Sequence, residues 1–112
     1  MSYSIEDLNQ SIKRSKAQIE LGVSLARLQV NRDFQKIIQS GYLENEAVRL
    51  VHLKAAPEMQ SAQDQERIVR EIDAIGALPA YFRAIRHQAA QAAKSLVEDE
   101  ETLEALTQEG EV

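Results

Sequence analysis

The chain contains no cysteine, only two prolines and four glycines, and only five aromatic residues: Tyr3, Phe34, Tyr42, Tyr81 and Phe82. Without cysteine there is no disulfide framework, no thiolate zinc site and no cysteine nucleophile. Strands favour aromatic and β-branched residues and need frequent turn residues. Both are scarce, so a β-sheet architecture is excluded in favour of an all-α fold. No window approaches the ~18 uninterrupted apolar residues of a membrane span, so no membrane partner is expected. Met1 to Asp7 has neither a basic start nor an apolar run, and no secretory leader is expected there.

What is abundant is Ala, Leu, Glu, Gln and Arg, the best helix formers. The 112 residues are 44% hydrophobic and 28% charged, the balance of a folded rather than a disordered chain. Charge is unevenly distributed. Residues 1–97 carry all 13 basic side chains against 11 acids, whereas residues 98–112 carry seven acids (Glu98, Asp99, Glu100, Glu101, Glu104, Glu109 and Glu111) and no base. The domain reading is therefore a helical body, 1–97, followed by an acidic helix end or tail, 98–112. Such an end keeps a protein soluble, and it also repels phosphate and suits a basic partner.

The clearest pattern is the register Ile75, Leu78, Phe82, Ile85, Ala89, Ala92, Leu96. Its alternating three and four spacings draw one apolar seam along a long helix that packs lengthwise on another. Around this seam the chain reads as a small helical bundle. A first long helix runs from about 5 to 30, introduced by the S-x-x-D start Ser4–Asp7. Ile5, Leu8, Ile12 and Ile19 mark its apolar face, and Leu21, Val23, Leu25, Leu28 and Val30 broaden it. Gly22 costs helix propensity and allows another backbone to approach. Two short connecting helices follow. One, at about 33–40, has Asp33 as its N-cap and Gly41 as a left-handed stop. The other, at about 43–56, ends before Pro57.

Ser61–Asp64 repeats the helix-start signal, and the second long helix spans about 61–106. Pro79 lacks an N–H and collides with the preceding turn, predicting a kink, or a break, near 76–79. The two long elements are expected to pack antiparallel. The small residues Ala89, Ala90, Ala92 and Ala93 imply close approach to a partner helix, from the same chain or from another copy.

Sites of chemistry are sparse. His52 and His87 have no histidine or carboxylate at i±3 or i±4, and ordinary surface positions are expected for both. No phosphate-cradling glycine loop or nucleophile elbow occurs. The carboxylates of Glu98–Glu101 lie in a terminal charge run that solvent screens, unlike a general acid–base pair. No enzymatic activity, cofactor or metal is therefore expected. Residues 33–54 superficially suggest a helix-turn-helix, but the reading helix would start with Leu43, Glu44, Asn45 and Glu46, whose acids face phosphate. Packed helices are the simpler reading, and nucleic acid is a disfavoured partner. DNA binding through this segment would show as a band shift that Arg49→Glu abolishes. The candidate interaction residues are Tyr81, Arg83 and Arg86, types enriched at interface hot spots, with Ala89 and Ala92 on the small-residue part of the seam. The plain alternative is a tyrosine on the core rim beside solvated arginines.

The runs Asn31-Arg32-Asp33-Phe34-Gln35-Lys36, Gly41-Tyr42-Leu43, Glu46 to Leu53 and Ile72-Asp73-Ala74-Ile75-Gly76-Ala77-Leu78 resemble small helical proteins encoded by tailed bacteriophages, over roughly residues 5–100. The resemblance carries no catalytic or ligand residue. It implies a phage origin, a place in the virion or the host cytoplasm, and two employments. One is a structural or assembly protein acting through helix–helix contacts, with virion proteins as partners and self-association into an oligomer. The other is an early protein that inhibits or adapts a host protein, its acidic tail competing for a nucleic-acid surface. Deleting residues 98–112 is expected to separate them, since only the second depends on the tail.

Overall fold

Helix starts are set by side chains that accept the first free backbone N–H groups. Ser4 Oγ accepts from Asp7 N at 3.1 Å and Ser61 Oγ accepts from Asp64 N at 3.1 Å. Both S-x-x-D signals therefore act as the sequence predicts. The computed structural model describes residues 4–110; Tyr3 and Glu111 lie outside them. Helix α1 spans Ile5–Gln29, α2 Arg32–Phe34, α3 Ala47–Ala55 and α4 Ala62–Gly110. A π-helical segment, Gln35–Glu46, joins α2 directly to α3, and a single 3₁₀ turn, Pro57–Met59, precedes α4. Among the described residues there is no strand, and the fold is all-α.

Two details of the connection differ from the expectation. Asn31, not Asp33, is the cap: its Oδ1 accepts from Phe34 N at 3.0 Å. The two short helices are one helical run, because Gly41 does not stop the chain and has no positive φ. Its use is steric. A Cβ at this position would sit 3.1 Å from the Lys36 carbonyl oxygen, the acceptor five residues back in a π-helix. Glycine relieves that crowding while helical φ and ψ persist. After α3, Pro57 does stop the helix, and two glutamines cover its last carbonyls. Gln60 Nε2 donates to Lys54 O at 2.9 Å and Ala56 O at 2.7 Å, while Gln65 Nε2 donates to Lys54 O at 2.9 Å.

Helix α4 continues through Gly76 and Pro79 as one 49-residue helix. Pro79 cannot donate to the Ile75 carbonyl, yet the side chains on either side of it keep one phase. Ile75, Ile85 and Ala92 are buried, and Leu78, Phe82, Ala89 and Leu96 are half-buried. The seam read from the sequence is the inward face. Continuity of burial, rather than local propensity, holds the helix together across the proline.

The chain divides into two compact units. The second comprises Ala26–Arg83 and holds a core of Leu50, Ile68 and Ile75. Tyr42, Leu43, Ala47, Leu53, Met59 and Ile72 pack around it. Leu50 and Ile68 are completely buried. Of the apolar residues on α3, Ala47, Leu50 and Leu53 face this core at helical spacing, leaving Val48 and Val51 outside.

The first unit contains α1 up to Leu25 and α4 from Ala84 onward. Here Ser11 meets Asp99 and Gly22 meets Ala89. Residue numbers rise on one helix as they fall on the other, so these segments pack antiparallel. The inward face of α1 is Leu8, Ser15 and Leu25, with Ser11, Ile12, Ile19 and Gly22 half-buried. That face is narrower and smaller than the sequence implied, because Leu21, Val23, Leu28 and Val30 are exposed.

A Cβ on Gly22 would lie 2.7 Å from Ala89 Cβ, too close for either helix to accept without moving. Gly22→Ala is therefore expected to lower the melting temperature, although alanine is the better helix former by about 1 kcal/mol. Ala89→Gly in the same chain should recover part of the loss. Gly76→Ala, where nothing lies within 4 Å of the new methyl, should instead stabilise by about 0.5–1 kcal/mol. Equal melting shifts for the two glycine variants would contradict the close approach.

Candidate protein-interaction surfaces

The aromatic residues of α4 serve two different purposes. Phe82 turns inward and meets Phe34 with ring centroids 5.9 Å apart and planes at 56°, a tilted edge-on geometry favourable to aromatic pairs. Tyr81, one residue earlier and so about 100° around the helix, is 59% exposed. Its ring centroid lies 6.4 Å from that of Phe82, so the exposed ring stands beside the packed one. With Tyr42, Ala74, Ala77 and Leu78, Tyr81 lines an apolar groove of about 390 Å³. A smaller recess of about 210 Å³ shares Tyr42 and Ala74 with it and is lined also by Glu46, Leu50, Glu71 and Ile75. Together they present apolar walls with carboxylates at one end, all within the second unit.

The other residues selected from the sequence separate. Arg83 is exposed in the second unit and Arg86 is exposed in the first. Ala89 and Ala92 take the role of seam residues inside the chain: Ala92 is buried and Ala89 abuts Gly22 of α1. The partner helix that their small size calls for is α1 of the same molecule. They do not form an open surface; of the two candidates in the second unit, Tyr81 lines the groove and Arg83 does not. Sequence reasoning misses Tyr42, Ala74, Ala77 and Leu78 as companions of Tyr81. Ala74, Leu78 and Tyr81 follow a four-three spacing, a legible signal, but Tyr42 comes from the π-helical segment, whose wider turn no periodicity rule anticipates.

In the first unit a polar recess of about 560 Å³ is lined by Asp7, Leu8, Gln10, Ser11, Arg14, Glu98, Asp99 and Thr102. Ser11 Oγ donates to Asp99 Oδ2 at 2.6 Å. Asp99 is thus half-buried and specifically bonded, not an anonymous member of a charge run. The seam spacing, continued from Leu96 to 99, 103 and 106, already marks it. Residues 98–110 are helix, and Leu103 and Leu106 are half-buried in the same stripe. Deleting residues 98–112 would strip Ser11 and Leu8 of their neighbours, so that deletion tests packing as much as charge. Neutralising Glu100, Glu101 and Glu104, all exposed, is the cleaner change.

The segment 33–54 has no turn between two helices, which removes the helix-turn-helix geometry outright. Arg49 is also engaged: its Nε donates to both Glu46 carboxylate oxygens, at 3.1 and 3.0 Å. These hydrogen bonds hold the Glu46 carboxyl below the usual carboxylate range and raise Arg49. The pair neutralises the cation that DNA contact would need. His52 and His87 are exposed. Among the described residues no cluster of three or more His, Asp or Glu could hold a metal ion, and no helix is long and apolar enough to cross a membrane. Comparison with protein-family models, curated proteins and solved structures yields no match to this chain.

Proposed function

We propose that this chain is a non-enzymatic structural or assembly protein of a phage particle, working through helix–helix and groove contacts with other virion proteins. The phage setting comes from the resemblance over residues 5–100, which also implies a place in the virion or the host cytoplasm. The observation that carries the contact reading is Tyr81, 59% exposed on a long helix at the mouth of an apolar groove. Exposed tyrosine beside a shallow, open apolar depression is the composition of an interface hot spot. The backbone supporting it is anchored by Phe82 against Phe34, so the helix turn that carries the ring is held in place before any partner arrives.

The acidic segment of α4 supports a second reading, an early protein that covers a basic, nucleic-acid-binding surface of a host protein. Glu98, Asp99, Glu100, Glu101, Glu104 and Glu109 stand on 98–110 with no base among them. The two readings differ in salt response. Exposed charge pairing weakens within a shorter screening length as salt rises, whereas apolar burial does not. The full chain, used as bait in infected-cell lysate at rising salt, should retain a structural protein of the particle through ~1 M salt. Tyr81→Ala should weaken that capture about tenfold, the cost of losing a ~1.4 kcal/mol contact. Loss of the captured protein at moderate salt, with Tyr81→Ala silent and Glu100, Glu101 and Glu104 neutralisation decisive, would favour the second reading and defeat the first.

A further inference from the structure

An antiparallel helix pair buries one stripe of each helix, and the first unit has further apolar side chains at the edge of that stripe and beside it. On α1 these are Ile5, Ile12, Ile19 and Val23. Ile5 and Val23 are 50% and 52% exposed, and the other two are half-buried. On α4 they are Ala93 and Val97, both exposed, Val97 at 56%. The placement is systematic. Residues 12, 16 and 23 each follow an inward residue of α1 by one position, as 86, 93, 97, 100 and 104 follow inward residues of α4. One residue is a rotation of about 100° in the same sense on both helices. For two antiparallel helices, equal rotation away from the shared seam leads to the same flank. These residues therefore form one surface running along the pair.

The same surface is charged in order. Lys16, between Ile12 and Ile19, and Arg86, beyond Ala89, lie towards the Gly22–Ala89 end, and Glu100 and Glu104 lie towards the opposite end. The wider unit repeats this polarity. Segments 5–10 and 98–110 carry eight carboxylates and no base, whereas segments 13–25 and 84–97 carry five Lys and Arg against Glu20 alone. A second copy laid antiparallel across this flank, on a two-fold axis near Val97, sets the acidic end of each copy against the basic end of the other. A parallel copy sets like against like. The flank is about 30 Å long, from the helical rise over 5–25, and roughly 20 Å wide for two helices, so about 600 Å². That approaches the ~800 Å² that each partner contributes to a stable interface.

We infer that the flank formed by Val23, Ala93 and Val97, edged by the half-buried Ile12 and Ile19, is a self-association surface on which two copies of this chain pair antiparallel through their first units. The occupant is a second copy because the surface is complementary to itself under a two-fold, in both its apolar centre and its charged ends. The inference takes the helix-contact reading as its premise and names one of its partners.

Sedimentation of the full chain across 1 μM to 1 mM tests it, concentrations chosen to bracket moderate affinities. The expected mass rises to twice the 12.6 kDa of one chain. Val23→Glu with Val97→Glu, at exposed positions, should leave the helical circular dichroism intact and weaken pairing at least tenfold. Glu100→Lys with Glu104→Lys should also weaken it, and adding Lys16→Glu with Arg86→Glu should restore it, because the swapped chain is again complementary only when antiparallel. A chain that stays at 12.6 kDa throughout, a dimer indifferent to the two valine changes, or a charge swap that fails to restore pairing overturns the inference. A monomer would leave the capture of a virion protein through Tyr81 standing, so failure of this surface and failure of the proposed function are read separately.

Discussion

Leu50→Ala is expected to destabilise the second unit by about 2–5 kcal/mol. Leu50 is completely buried and sits with Ile68 and Ile75 at the centre of the only core cluster formed by buried residues among those described. Removing its side chain loses the transfer energy of three carbons and leaves a cavity that Tyr42, Leu43 and Ala47 cannot close without moving the helical run that carries them. A domain of this size has roughly 5–15 kcal/mol in total, so the loss is a large fraction. A thermal melt should show a fall of at least about 8 °C. Val51→Ala, one residue further on and 59% exposed, should stay within about 0.5 kcal/mol of the parent. If the two variants melted alike, α3 would not be turning Leu50 inward and Val51 outward.

The second large effect separates neighbouring aromatic residues. Phe82→Ala removes the ring that packs on Phe34 and should cost about 2 kcal/mol or more. Tyr81→Ala removes a ring that is mostly in solvent and should leave the melt nearly unchanged while weakening the partner contact. Comparable destabilisation by both would mean that Tyr81 belongs to the core, and the groove would lose its hot spot with it.

Much of the fold is legible in the sequence because its determinants are local. Ser4 and Ser61 cap their helices through side-chain geometry that depends on three residues, and the inward stripe of α4 follows directly from spacing. The connection misleads at Gly41 for a physical reason. Glycine after serine is the usual sign of a left-handed stop, whereas in this chain the missing Cβ relieves a clash with the Lys36 carbonyl in a wider helical turn. The sign and the structure use the same property of glycine for opposite ends. Asp33 reads as a cap because it precedes the apolar residues, but Asn31 reaches Phe34 N from two residues earlier.

The site is legible in part. Tyr81 falls outside the seam in both sequence and structure, since its offset from Phe82 is fixed by helical geometry. Ala89 and Ala92 call for a close partner helix, of the same chain or another copy, and α1 receives Ala89 at Gly22. Small residues declare close packing without saying on what. The answer depends on Gly22 and Ser15 of α1, whose smallness makes that face look weak when only large apolar residues are counted. The acidic segment reads as charge alone, and the hydrogen bond from Ser11 to Asp99 shows that one of its members is also structural.

We propose that the chain works as a component of a phage particle or of its assembly. Quantitative mass spectrometry of purified virions and of isolated assembly intermediates tests it most directly. The chain is expected in at least one of these fractions, in a fixed ratio to a structural protein. Its absence from both virions and intermediates, with the chain abundant in the soluble lysate, would rule out a role in the particle or its assembly.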